Sequence, residues 1–436
     1  MKKIAILVFF TVGFFVHVWA CTGLIAGKQA TVDGSVLVTY SADSHTLYGA
    51  LTSSPAADWP KGSMRSIVEW DTNKPLGEIE QVEHTYAVMG NMNEHQLTVV
   101  ESTWGGRPEL VDTTGIIDYG SLMQLALERA KTAREAIKVM TGLVKKYGYY
   151  SSGESFTIAD PNEAWILDLI GKGPGRRGAV WVAVRIPDDC IAGHANYPRI
   201  HKIPMDDKEN CLYSPDVISF AREMGYFDGL NKDFSFARAY SPADFGALRA
   251  CDARVWSFFR KYDSSMDNYL PYVNGESAEP FPLYVKPSRK LSVQDMKEAM
   301  RDHFEDTPFD MTQDVGAGPF KVPYRFRPMS FEVDGKSYCM ERAIATQQTG
   351  FTLVGQMRNW LPDPVGGVLW FGVDDANTCV YIPMYCGITQ VPECFSPENG
   401  SMYDFSWTSA FWIHNWVANM AYARYEPMIG DIRKVQ

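Results

Sequence analysis

Cysteine is scarce in this chain. Eight in 436 residues is too few to staple a disulfide scaffold. A positive charge balance is missing too: 41 Lys and Arg stand against 52 Asp and Glu, a formal net charge of −11. That balance argues against nucleic acid as a partner, which needs clustered cations to neutralise its phosphates. No internal repeat or low-complexity tract occurs, and 46% apolar with 21% charged residues is an ordinary globular composition. The eight histidines include no H-E-x-x-H and no C-x-x-C companion, so no zinc motif is present. No G-x-S-x-G elbow occurs. Gly173-Pro174-Gly175-Arg176-Arg177-Gly178 has the outline of a dinucleotide fingerprint. The strand-like run Ala179–Val184 follows it where a helix N-terminus would be required, so a hairpin turn is expected instead. Beyond residue 20, no apolar run is long enough to span a membrane.

The one long apolar run lies at the amino end. Residues 1–20 carry Lys2 and Lys3, an apolar stretch from Ile4 towards Ala20, and Val18 and Ala20 at the −3 and −1 positions of a cleavage site. This is the pattern of a signal peptide, with export to the periplasm or the exterior as the expectation if the source is bacterial. Cleavage after Ala20 removes two lysines and leaves 416 residues with a net charge of −13. Seven cysteines then remain besides Cys21, so not all can pair within the chain, although Cys379, Cys386 and Cys394 are close enough for one bridge.

Cys21 becomes the first residue of the mature protein, and two uses compete for it. It can carry a lipid anchor, although Val18 and the bulky Trp19 make a poor lipobox. It can instead be a nucleophile whose own α-amine, with a pKa of roughly 7.7–8.0, is the nearest base. The next residues favour the second use. Thr22–Gly27 and Ser35–Tyr40 read as strands joined through Asp33-Gly34, a strong hairpin signal. A lipoprotein usually begins with a flexible tether, whereas a thiol and amine that react need fixed positions. Asp43 ends the hairpin where it could reach back to the α-ammonium group.

With Cys21-Thr22-Gly23-Leu24, Asp33-Gly34-Ser35 and Asp43, the chain resembles the cysteine dipeptidases of the dipeptidase A type. These belong to the N-terminal-nucleophile hydrolases, with penicillin V acylase and conjugated bile salt hydrolase. Matches continue in order: Asn93-Glu94-His95-Gln96 leading to Glu101-Ser102-Thr103, Gly153-Glu154-Ser155-Phe156, Glu163-Ala164-Trp165, Arg185-Ile186-Pro187-Asp188 and His194-Ala195-Asn196. They thin out towards Trp360-Leu361-Pro362 and Tyr381-Ile382-Pro383. The resemblance implies an αββα sandwich, dipeptide or short-peptide substrates, a covalent thioester and no metal or organic cofactor. It assigns Cys21 as nucleophile, Asp43 as the group that holds the amine, and Asn196 as the oxyanion donor. Related enzymes often assemble, so a homo-oligomer is a further expectation. One departure stands out: related acylases have Arg-Asn-x-Asp where this chain has Tyr40-Ser41-Ala42-Asp43, so a cationic assistant must come from elsewhere or be absent. The competing functions are an acylase of non-peptide amides and a Cys21-lipidated binding protein.

The remaining pattern predicts an α+β fold of two mainly antiparallel sheets flanked by helices, forming one domain over 21–436 with helical insertions in its C-terminal half. Gln96–Glu101, Ser155–Ala159, Trp165–Ile170 and Ala179–Ile186 read as strands. Gly120–Tyr147 reads as one long amphipathic helix. Ser241–Asp244 looks like a capping box that opens a helix to about Tyr262, and Ser292–Asp295 opens another. The Pro- and Tyr-rich stretch Asp263–Arg289 reads as a long loop. The aromatic stripe through Phe411, Trp412, Trp416 and Tyr422 reads most simply as helix packing, with part of an interface as the alternative.

Overall fold

The computed structural model describes residues 21–325 and 330–436. The signal segment 1–20 lies outside the described residues. The strands that position the site are β1 (Thr22–Ala26), β2 (Val36–Asp43), β3 (Thr98–Gly105), β4 (Gly153–Ala159), β5 (Ala164–Gly171), β6 (Ala179–Ile186), β7 (Ile191–His194), β8 (Cys211–Tyr213), β9 (Thr349–Met357), β10 (Val368–Val373) and β11 (Ile382–Tyr385). The helices packed on the sheets include α1 (Tyr119–Arg129), α2 (Ala133–Tyr147), α3 (Ala253–Arg260), α4 (Val293–Met300) and α5 (Ala410–Ala423).

Two antiparallel sheets stack face to face. One has the order Tyr284–Val285, β7, β1, β2, β9, β10, β11. The other runs β8, β6, β5, β4, β3 and ends in three two-residue strands, the last Ser53–Ser54. Alternation along each strand sorts side chains between layers. Ile25, Val38 and Tyr40 of the first sheet meet Val100, Ile166 and Val182 of the second in the inner core. Leu24, Leu37 and Val354 point outward under α3 and α4. Val99, Phe156 and Leu167 point outward under α1 and α2. Helices, sheet, sheet, helices is the expected αββα arrangement.

Four local expectations differ from the structure. The helix over Gly120–Tyr147 is two helices, because Ala130 is extended and Thr132 starts a new one by accepting the Glu135 amide N–H. The Thr132-x-x-Glu135 capping signal outweighs the continuous apolar stripe, and the Ala133 amide is held by Asp160 at 2.9 Å. Ser241–Asp244 forms no capping box. Ser241 ends the short helix Phe236–Tyr240, and Asp244 alone receives the Ala247 N–H at 2.7 Å. A π-helical turn, Ala247–Asp252, then leads into α3. The Asp263–Arg289 stretch is also less irregular than expected, with a 3-10 turn at Ser264–Tyr269 and the edge strand Tyr284–Val285. No bridge forms among Cys379, Cys386 and Cys394; all eight cysteines are free thiols. The expected box at Ser292–Asp295 is present and caps α4.

Candidate active site

Register brings the predicted residues together. Gly23 on β1 faces His194 on β7 and Tyr40 on β2. The β1–β2 pairing runs to Thr22 opposite Ser41, which brings Cys21 to the end of β2 that carries Ala42 and Asp43, while Asn196 lies two residues beyond His194. A glycine is required at Gly23, because an added Cβ would stand 2.9 Å from the His194 ring. His194 is buried and ties the sheets together, with Nδ1 2.6 Å from Ser102 Oγ and Nε2 2.9 Å from Thr157 Oγ1. Ser102 Oγ also accepts the Asn196 amide N–H at 3.2 Å, so the same hydroxyl joins His194 to the Asn196 backbone.

The Cys21 thiol is buried, 3.6 Å from the Tyr40 hydroxyl. Tyr40 in turn donates to Glu101 Oε1. Loss of water, followed by the negative charges of Glu101 and Asp43, pushes the thiol pKa well above its usual value. The Asp43 backbone and the Tyr40 hydroxyl pull in the opposite direction.

Asp43 is buried, and three side chains reach its carboxylate. Ser41 Oγ donates at 3.1 Å, Thr349 Oγ1 donates at 2.7 Å, and Arg342 forms an ion pair. Asn196 sits just beyond β7 with φ 56°, a left-handed conformation that asparagine adopts more readily than most residues. Its Oδ1 accepts from Arg254 Nη2 at 2.8 Å, and its Nδ2 donates to Thr103 O.

A buried cation, Arg254, does stand beside Cys21. It leaves α3 just after the π-helical turn, fully buried, and donates to Cys21 O and Thr22 Oγ1 at 2.8 Å each. It also reaches Ala195 O at 3.2 Å. Among the described residues no carboxylate forms an ion pair with it. Burial first, and Arg342 second, lower its pKa to about 10. The guanidinium remains charged at neutral pH and is held largely by carbonyl oxygens around Cys21. Where related acylases place an arginine, Tyr40 directs its hydroxyl to Glu101.

Sequence reasoning did not find Arg254, Arg342 or Thr349. No local motif marks them, and they lie 233, 299 and 306 residues from the groups they contact. Among the described residues no three His, Cys, Asp or Glu side chains are arranged to hold a metal ion, so the cluster offers a thiol, a buried cation, an amide donor and carboxylates.

The profile of Peptidase family C69 matches residues 20–436, starting one residue before Cys21. The chain belongs to peptidase family C69. This C69 peptidase is 27% identical to a probable dipeptidase of Salmonella dublin, over 85% of this chain and 81% of the relative. It is 24% identical to a probable dipeptidase of Latilactobacillus sakei and 24% identical to dipeptidase A of Lactobacillus helveticus, each over 93% of this chain and 82% of the relative.

Proposed function

We propose that this C69 peptidase is an exported cysteine dipeptidase that acts through Cys21 once residues 1–20 have been removed. The names of its relatives support dipeptides as the substrate class. One observation carries the mechanism: Arg254 grips both Cys21 O and Asn196 Oδ1. The nucleophile's backbone and the amide opposite it are thereby held as one unit, and positioning of this kind supplies much of catalysis.

In the proposed reaction the free α-amine of Cys21 takes the thiol proton and the sulfur attacks the scissile carbonyl carbon. The carbonyl π electrons move onto oxygen, and the oxyanion meets an Nδ2–H of Asn196. The Arg254 charge lies behind that donor. A donor so placed typically contributes about 2.7–4 kcal/mol to the transition state. The α-ammonium then passes its proton to the departing amine, the C–N bond breaks, and a Cys21 thioester remains. Water, deprotonated by the same amine, attacks the thioester and restores the thiol. Asp43 holds the ammonium form. A carboxylate offers about four acceptor positions, and Ser41, Thr349 and Arg342 occupy three of them.

The raised thiol pKa fits this sequence, because proton removal is then coupled to attack and no resident thiolate is needed. N-terminal sequencing and intact mass of the secreted protein test the processing. A free Cys21 amine is expected, whereas a diacylglyceryl adduct on a blocked Cys21 would overturn the proposal. Dipeptide hydrolysis by Cys21→Ala should fall at least about 1,000-fold, and undiminished turnover would equally overturn it.

A further inference from the structure

We propose that Glu101 and Glu154 form the subsite that receives the free α-ammonium group of a peptide substrate, so that this enzyme selects unblocked amino termini. The inference rests on Cys21 being the nucleophile. Glu101 and Thr103 share one face of β3, and Thr103 stands opposite Glu154 on β4. The two glutamates are therefore diagonal neighbours on adjacent strands, within reach of each other. Both are buried, at 2% and 0% exposure. Glu101 Oε1 is held by Tyr40, and Glu154 Oε1 accepts from Thr103 Oγ1 at 2.5 Å. The second oxygen of each, Oε2, is buried without a hydrogen-bond partner.

The two carboxyls also lie close enough to hydrogen-bond to each other through a shared proton, but a buried carboxyl pair with no cation beside it is still an incomplete arrangement. Among the described residues no Lys or Arg forms an ion pair with either, since Arg342 is spent on Asp43 and Arg254 on the Cys21 and Ala195 carbonyls. Burial pushes both carboxyls upward, and for Glu154 the charge of Glu101 adds to this. Asp71, bonded by Tyr119 at 2.8 Å, adds negative potential nearby. The pair thus lacks one compact positive donor group. Its distance from the chemistry fits a substrate amine. The Tyr40 hydroxyl touches both the Cys21 thiol and Glu101, so Glu101 lies one hydroxyl away from the attacking sulfur. In a dipeptide the α-nitrogen is bonded to the carbon next to the scissile carbonyl, so carbonyl and ammonium can reach the two groups together.

The test compares kcat/KM for a panel of unblocked dipeptides with that for their N-acetyl counterparts. The wild-type enzyme is expected to favour the unblocked form by at least about 100-fold. Glu101→Gln and Glu154→Gln, which keep the shape and remove the charge, should each reduce that ratio to below about 10-fold. Glu101→Asp should restore part of it. Equal cleavage of blocked and unblocked peptides by the wild-type enzyme overturns the proposal and needs no variant to fold. So does a parallel loss of both rates in the Gln variants with the ratio unchanged, which marks a merely structural or thiol-tuning role. In either case cleavage of dipeptides by the wild type leaves the dipeptidase assignment standing. Cleavage of neither form overturns both.

Discussion

Around Cys21, dehydration and nearby carboxylates oppose ionisation of the thiol while Tyr40 and the Asp43 backbone assist it. Removing the Glu101 charge must therefore lower the thiol pKa, because a negative neighbour disfavours the thiolate. Alkylation of Cys21 by iodoacetamide, followed against pH, should shift by roughly one unit to lower pH in Glu101→Gln. Arg254→Met should strand the Cys21 and Ala195 carbonyls and Asn196 Oδ1 without their donor. Steady-state kinetics should show kcat lower by about 100-fold or more. Cys21, Asp43 and Asn196 were legible because each sits in or beside a short local pattern: a cleavage site, a hairpin end, the tripeptide His194-Ala195-Asn196. Arg254 and Arg342 were not, because an arginine's value here depends on neighbours hundreds of residues away. Glu101 was visible only as part of a familiar tripeptide, and an acid inside a strand gives no sign of lying beside a thiol.

At the scale of elements, the strands were the most readable part. β6 falls where the apolar run places it, and β4 and β5 are each longer than expected by no more than two residues at either end. β3 is displaced toward its C-terminal end, running to Gly105, since Gln96 takes a left-handed turn at φ 63°. Helix boundaries were less legible because a cap and a stripe of apolar residues compete, and at Thr132 the cap prevails. Thr132→Ala should cost about 1 kcal/mol in urea unfolding, by removing the acceptor that separates α2 from α1. Gly23→Ala probes the β1–β7 pair. The new Cβ would meet the imidazole of His194 and Val255 lies close behind Gly193 on the same strand pair, so overpacking should cost roughly 1–3 kcal/mol. Dipeptide hydrolysis should fall with it, because Cys21 is two residues away on the displaced strand.

For the whole molecule, layer order was legible because alternating apolar strands followed by amphipathic helices admit few packings. The polar ties between sheets were not, because they join residues such as His194, Ser102 and Thr157 from separate strands. His194 makes stability depend on pH. Burial, with Arg254 and Arg199 adding to it, lowers its pKa from 6.5 to about 3. Between those values the unfolded chain binds a proton that the folded chain refuses, so stability falls as pH falls. From pH 7 to pH 5 this group alone removes about 2 kcal/mol. Asp168, raised to about 6 by burial, acts in the opposite sense. Urea unfolding at the two pH values should therefore show a steeper acid decline for the wild type than for His194→Gln.

The pairing of Asp43 with Arg342 and Thr349 also has a consequence in time. Synthesis begins at the amino end, so the thiol strand emerges early and the groups that restrain its neighbouring carboxylate emerge about 300 residues later. Strand β9, which must insert beside β2, arrives with them. An unfinished chain carries the sulfur without its setting, and the surroundings of Cys21 can be completed only once Arg342, Thr349 and β9 have been made.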